Sequence, residues 1–112
     1  MDEKLYLQKA DRTFRRLLDA FESVDPDLVE ADTTGDVVTL TFADRSKCVI
    51  NTQRPTRQIW LAANARGWHF RYAAESDTWV DDKGRGDELF ATVTEIVRGK
   101  TGLALSFAPQ AR

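Results

Sequence analysis

The apolar residues of this chain change period twice, and that limits the fold more than any single motif does. In residues 4–24, Leu7, Ala10, Phe14, Leu17, Leu18 and Phe21 recur at helical spacing and form one stripe. Pro26 restricts the residue before it, so this helix is expected to stop near Val24. From Leu28 the period is two. Val29 and Ala31 alternate with Glu30 and Asp32, as in a strand with one wet face. Further strand segments follow, each bounded by turn residues: "VVTLTF" after "TTGD", "SKCVINTQ" after "ADRS", "RQIWLA" after Pro55, "WHFRY" after a loop at Asn64 to Gly67, and a short "DTWVD". Residues 87–98 return to helical spacing through Leu89, Phe90, Val93, Ile96 and Val97, with Asp87 as the expected N-cap and Gly99 as the expected stop. The apolar, extended "LALSF" near the end is expected to pack onto the helices.

Helix, about six strands and helix imply an α+β fold. The expectation is one domain over residues 1–112, a two-layer sandwich with both helices packed on one face of an antiparallel sheet. The other sheet face is then left in water. Ile59 and Leu61 need the buried face, so strand parity sends Trp60 outward with Gln58. An outward tryptophan is a typical binding anchor. Trp68 and Trp79 are expected to pack in the core, Cys48 to be a small core residue, and His69 to be a strand residue without special chemistry.

Composition excludes several functions. One cysteine and one histidine rule out an intramolecular disulfide and a zinc site built on several Cys and His. An iron-oxygenase triad needs two histidines. No apolar run approaches the length of a membrane span, and the first residues, "MDEKLYLQKADR", hold no hydrophobic segment. A reducing cytoplasm is the expected compartment. The net charge of −2 argues against nucleic acid as the main ligand.

That small net charge hides a strong local one. Residues 19–36 hold seven carboxylates (Asp19, Glu22, Asp25, Asp27, Glu30, Asp32 and Asp36) and no lysine or arginine. The rest of the chain holds 11 acids and 16 bases. Like charges so placed repel one another, and one lysine would relieve the strain. Carboxylates are hard ligands suited to Fe, Mn, Mg or Ca. Glu30 and Asp32 lie roughly 7 Å apart along one strand face, and Asp19 and Glu22 about 5–6 Å apart on one helix flank. Metal–oxygen bonds are only about 2.0–2.6 Å, so few of these groups converge on one ion. The expected site is shallow, weak, exposed and tolerant of several metals.

The element order, the acidic first helix and first strand, and above all "VINTQRPTRQIWLAA" followed by "GWHF" and "TWVDD" resemble the frataxin family in its bacterial, CyaY-type form. The resemblance runs from about Tyr6 to Phe107. It implies an iron-binding protein of iron–sulfur cluster assembly that donates iron to, or regulates, a cysteine desulfurase and scaffold complex. It implies an acidic iron ridge at Asp19, Glu22, Asp25, Asp27, Glu30 and Asp32, binding Fe2+ or Fe3+ weakly, with other divalent cations as substitutes. It also implies a partner surface on the open sheet at Asn51, Gln53, Gln58 and Trp60. The expected state is a monomer, with iron-dependent oligomers as the alternative. An interaction module with incidental metal binding, and a ferroxidase, are the competing readings; no paired buried carboxylate centre suggests the latter. Arg15 and Arg16 near the ridge, and Arg54, Arg57, Arg66 and Arg71 around the middle strands, depart from the family pattern.

Overall fold

A computed structural model describes residues 1–107. Helix α1 (Glu3–Phe21) leads into six strands, β1 (Val29–Thr34), β2 (Val37–Phe42), β3 (Lys47–Gln53), β4 (Gln58–Ala63), β5 (Arg66–Ala73) and β6 (Thr78–Asp81), and helix α2 (Leu89–Thr101) follows. The sheet is an antiparallel meander in the order β1-β2-β3-β4-β5-β6. Every strand therefore pairs with its neighbours in the chain, through short turns. The α+β sandwich read from the periodicity is the fold.

Local chemistry sets the ends of the elements. Asp2 caps α1 by accepting from Leu5 N at 2.7 Å. The helix ends at Phe21, not Val24, because the next amides take acceptors three residues back: Glu22 N donates to Asp19 O and Val24 N to Phe21 O. Gly35, at φ +58°, makes the turn between β1 and β2. Asn64 and Ala65 are both left-handed and complete a two-residue hairpin, so Arg66 and Gly67 belong to β5 and not to a loop. At α2 the cap is Glu88, whose carboxylate accepts from Phe90 N and Ala91 N, and not Asp87, which instead accepts from Trp68 Nε1. The helix runs through Gly99 and stops at left-handed Gly102, whose amide donates to Arg98 O.

The core lies between the helices and one sheet face. Tyr6, Leu17, Leu40, Ile50, Ile59, Phe70, Trp79, Leu89, Val93 and Val97 are sealed from solvent. The inward stripe of α1 is rotated from the simple pattern. Tyr6 is fully buried, whereas Leu7 is 38% exposed. The reason is polar as well as apolar: Tyr6 donates its hydroxyl to Gln58 O at 2.7 Å and meets the Trp79 ring edge-on. Thr13 is buried for the same kind of reason, accepting from Trp79 Nε1 at 2.9 Å and donating to Lys9 O. Trp68, Trp79 and Cys48 pack in the core as expected, and burial pushes the Cys48 thiol up to about 12. The segment after α2 is extended, and Leu103, Leu105 and Phe107 pack on the core, with the Phe107 ring 4.7 Å from that of Phe90.

Candidate functional site

The acidic stretch runs over three kinds of backbone. Asp19 is in the last turn of α1 and Glu22 is its C-cap, Asp25 and Asp27 lie in the connection to β1, and Glu30 and Asp32 alternate outward along β1. Val29 is buried and Ala31 half-buried, which leaves both strand acids exposed. The last turn of α1 holds no basic residue. Asp19 and Glu22 therefore meet the negative end of the helix dipole, the reverse of the stabilising placement. Asp19, Glu22, Asp27, Glu30 and Asp32 make no side-chain hydrogen bond or ion pair with any described residue. Asp25 differs. Its Oδ1 accepts from Asp27 N at 2.9 Å, and its carbonyl accepts from Leu28 N, so it builds the turn that launches β1.

The arginines nearest the ridge have other described partners: Arg15 pairs with Asp11 one turn back along α1. Arg16 lies over the Phe90 ring, 4.3 Å from its centre, and donates to Phe107 O. A hollow of about 380 Å³ opens between the end of α1 and β1, lined by Phe21, Glu22, Val24, Pro26, Val29 and Glu30 among others. Glu22 and Glu30, from different elements, thus reach one depression. Among the described residues, no three His, Cys, Asp or Glu side chains converge as a metal-binding set. The geometry offers one or two carboxylates at a time, with water to complete any coordination shell.

The second group sits on the open sheet face. Strand pairing sets Asn51 opposite Trp60 and Trp60 opposite His69, with Gln53 opposite Gln58 and Gln58 opposite Arg71 in the adjacent row. The four residues read from the sequence, Asn51, Gln53, Gln58 and Trp60, are thus brought together on two neighbouring strands. Trp60 is half-buried and not free: its ring stacks on His69 at 4.1 Å with 12° between the planes. The sequence reading gave His69 no role, although the inward Trp68 and Phe70 on either side already send it outward beside Trp60. Asp82, which lies just after β6 and joins this patch, carried no comparable signal.

The remaining arginines divide. Arg54 pairs with Glu3 at 3.1 Å, and Arg66 covers the Trp68 ring at 4.4 Å. Arg57 is left-handed at the turn before β4 and donates to Arg54 O, with its Nε buried and without an acceptor among the described residues. Arg71 is exposed on the open face.

Residues 1–103 match the model of the frataxin-like domain. The iron–sulfur cluster assembly protein CyaY of Delftia acidovorans is 47% identical over 87 residues, covering 78% of this chain and 76% of its own length. That of Paraburkholderia xenovorans is 35% identical over 107 residues, covering 96% and 98%. Among solved structures, frataxin from Psychromonas ingrahamii superposes with a TM-score of 0.86 at 28% identity, covering 97% of this chain and all of its own. A trimeric frataxin from the yeast Saccharomyces cerevisiae, complexed with ferrous iron, superposes at 0.73 with 29% identity, covering 85% and 87%. With the family match spanning nearly all the described residues and the same two-layer fold in its relatives, the chain belongs to the frataxin-like family of CyaY proteins.

Proposed function

We propose that this protein serves iron–sulfur cluster assembly in the cytoplasm as a binding protein, not an enzyme. It carries iron weakly on Asp19, Glu22, Asp25, Asp27, Glu30 and Asp32 and docks on the cysteine desulfurase and scaffold machinery. One observation carries this reading. Acids gathered at the wrong end of a helix dipole and along a strand edge are left without side-chain partners among the described residues. Such a placement costs stability and suits a ligand that comes from outside. The named function of the CyaY relatives supplies the context.

The spread of the acids over helix, loop and strand suits exchange better than storage. Glu22 and Glu30 on one hollow supply two hard ligands, and the others supply a field that draws cations in. The same field fits a basic surface on the desulfurase, so iron and partner compete for it. The open-face residues Asn51, Gln53, Gln58 and Trp60 supply a second contact, for the scaffold or the desulfurase–scaffold complex.

Titration of ferrous iron under anaerobic conditions, followed by backbone amide NMR, is expected to move resonances in residues 19–36. Shifts centred on His69 and Cys48 instead would reject the ridge. Repeating the titration with the desulfurase present separates iron carriage from docking: competition predicts weaker iron binding in the complex. Trp60→Ala is expected to weaken the complex while unfolding stays cooperative, because a side chain on the open face contributes little to the core.

A further inference from the structure

Four side chains on the open face close into a ring. Gln58 uses both ends of its amide within the molecule: Oε1 accepts from Trp60 Nε1 at 2.8 Å, and Nε2 donates to Asp82 Oδ2 at 2.9 Å. The same Asp82 oxygen stands 3.9 Å from His69 Nδ1, and the His69 ring stacks on Trp60. The backbone makes the ring possible. Trp60 and His69 face each other across the β4–β5 ladder, and Asp82 N donates to His69 O at 2.8 Å, which brings Asp82 into their row. Gln58, two residues before Trp60, shares its face.

We infer that Gln58 is a positioning residue: with Asp82 behind it and His69 beneath the indole, it holds Trp60 in one orientation before any partner arrives. Two features of the geometry support this. Stacking alone fixes the plane of the indole but not which of its edges faces Gln58, and the Nε1 hydrogen bond selects the edge. Gln58 is itself anchored at its other end, so its amide cannot turn without giving up Asp82. A rigid, pre-oriented aromatic loses less freedom on binding than a mobile one. In this arrangement Gln58 acts on a partner chiefly through Trp60. The inference rests on the open face being the docking surface.

The test uses Gln58→Leu, which removes both amide bonds while leaving the backbone carbonyl of residue 58 to accept from Tyr6. In the free protein, Gln58→Leu is expected to shift the Trp60 indole N–H resonance and lower its NMR order parameter. Asp82→Ala should do the same to a smaller degree. Asp82→Asn should restore both readouts, because its amide oxygen still accepts from Gln58 Nε2. Toward the desulfurase–scaffold complex, Gln58→Leu should weaken binding about 2- to 10-fold, the worth of one hydrogen bond. It should add nothing in a Trp60→Ala background. An unmoved indole resonance, or an equal loss of affinity with and without Trp60, would overturn the inference and make Gln58 a direct contact. If Gln58→Leu fails to fold, the Asp82→Ala and Asp82→Asn pair decides by the same readouts. If Trp60→Ala leaves the complex intact, the docking reading fails, while the indole measurements on the free protein still decide whether Gln58 positions Trp60.

Discussion

Two sets of carboxylates in this molecule are treated in opposite ways. Away from the ridge, several acids are tied down. Asp77, in the β5–β6 turn, takes Lys9 and Arg12 from α1 and the Tyr72 hydroxyl on one oxygen, and so fastens the first helix to a hairpin more than sixty residues away. Asp81 is a buried acceptor for its own loop: Arg85 grips it with Nε at 3.1 Å and Nη2 at 3.0 Å, and the amides of Lys83 and Arg85 donate to it. Asp44 accepts from Ser46 and pairs with Lys100 at 3.0 Å, joining the β2–β3 turn to the end of α2. On the ridge, among the described residues, only Asp25 has such a duty. The same residue types thus hold the structure together in one place and are left to repel in another. Where charge is placed against stability, the placement points to use by something outside the chain.

The largest effect is expected at the tied acids. Asp81→Ala removes four hydrogen bonds to a carboxylate and leaves their donors short of partners. Urea unfolding should register a loss of about 1.5–3 kcal/mol, the scale of hydrogen bonds to a charged group. A null effect would erase the contrast with the ridge. The pH dependence has the same origin. The bond to Arg85 and the flanking amides hold Asp81 at about 2, and the Ser46 hydroxyl and amide with Lys100 hold Asp44 at about 2. A folded-state value below the unfolded one, about 3.9, means that this stability is complete above the unfolded value and is lost as pH falls through the folded one. Wild type should therefore weaken between about pH 4 and pH 2. Asp81→Ala should show a shallower decline over that window, measured by thermal unfolding at successive pH values.

Within the ridge, Asp25→Ala should go against its neighbours. It breaks the turn bond to Asp27 N and should destabilise by about 0.5–1.5 kcal/mol. Asp27→Asn and Glu30→Gln are the smallest changes and carry the opposite sign. Each should raise stability by a few tenths of a kcal/mol at low salt, the size of a like-charge pair. That gain should shrink as the Debye length falls from about 30 Å at 0.01 M to about 10 Å at 0.1 M. Mn2+ or Fe2+ should stabilise wild type more than either variant, since a ligand of the folded state adds RT ln(1 + [L]/Kd). Destabilisation by both neutralising changes would mean that the ridge acids have structural partners after all.

How far the sequence carried the reading follows from the range of each interaction. Strand β2 is "VVTLTF" in sequence and in structure, because period and turn residues are local signals. Outward Trp60 followed from parity once Ile59 and Leu61 were assigned inward. The rotation of α1, which buries Tyr6 and exposes Leu7, did not follow, because it depends on the Gln58 carbonyl 52 residues away. Glu88 and Asp87 are adjacent acids before one helix. Only the position of Trp68 decides which of them caps it and which holds an indole. The ridge was legible as a count of charges. The exception at Asp25 is legible too, in the Asp–Pro–Asp run that favours an Asx turn, a local signal to which a count of charges is blind. The Asp77 and Asp81 anchorages required the fold.

The two sheet edges are protected by different means. Beside β6, the segment leading into α2 forms a bridge between Glu88 and Val80, and Asp81 N donates to Asp87 O, so that edge is partly covered by the chain itself. Strand β1 has one neighbour in the sheet, and the Glu30 and Asp32 side chains stand exposed along it. An uncovered strand edge invites a second molecule to add to the sheet, and charge is one of the few deterrents available there. Glu30 and Asp32 are therefore placed to hold molecules of this protein apart. Neutralising them by substitution, acid or bound metal would remove the deterrent, and self-association would be expected to begin at β1 and to rise with protein concentration.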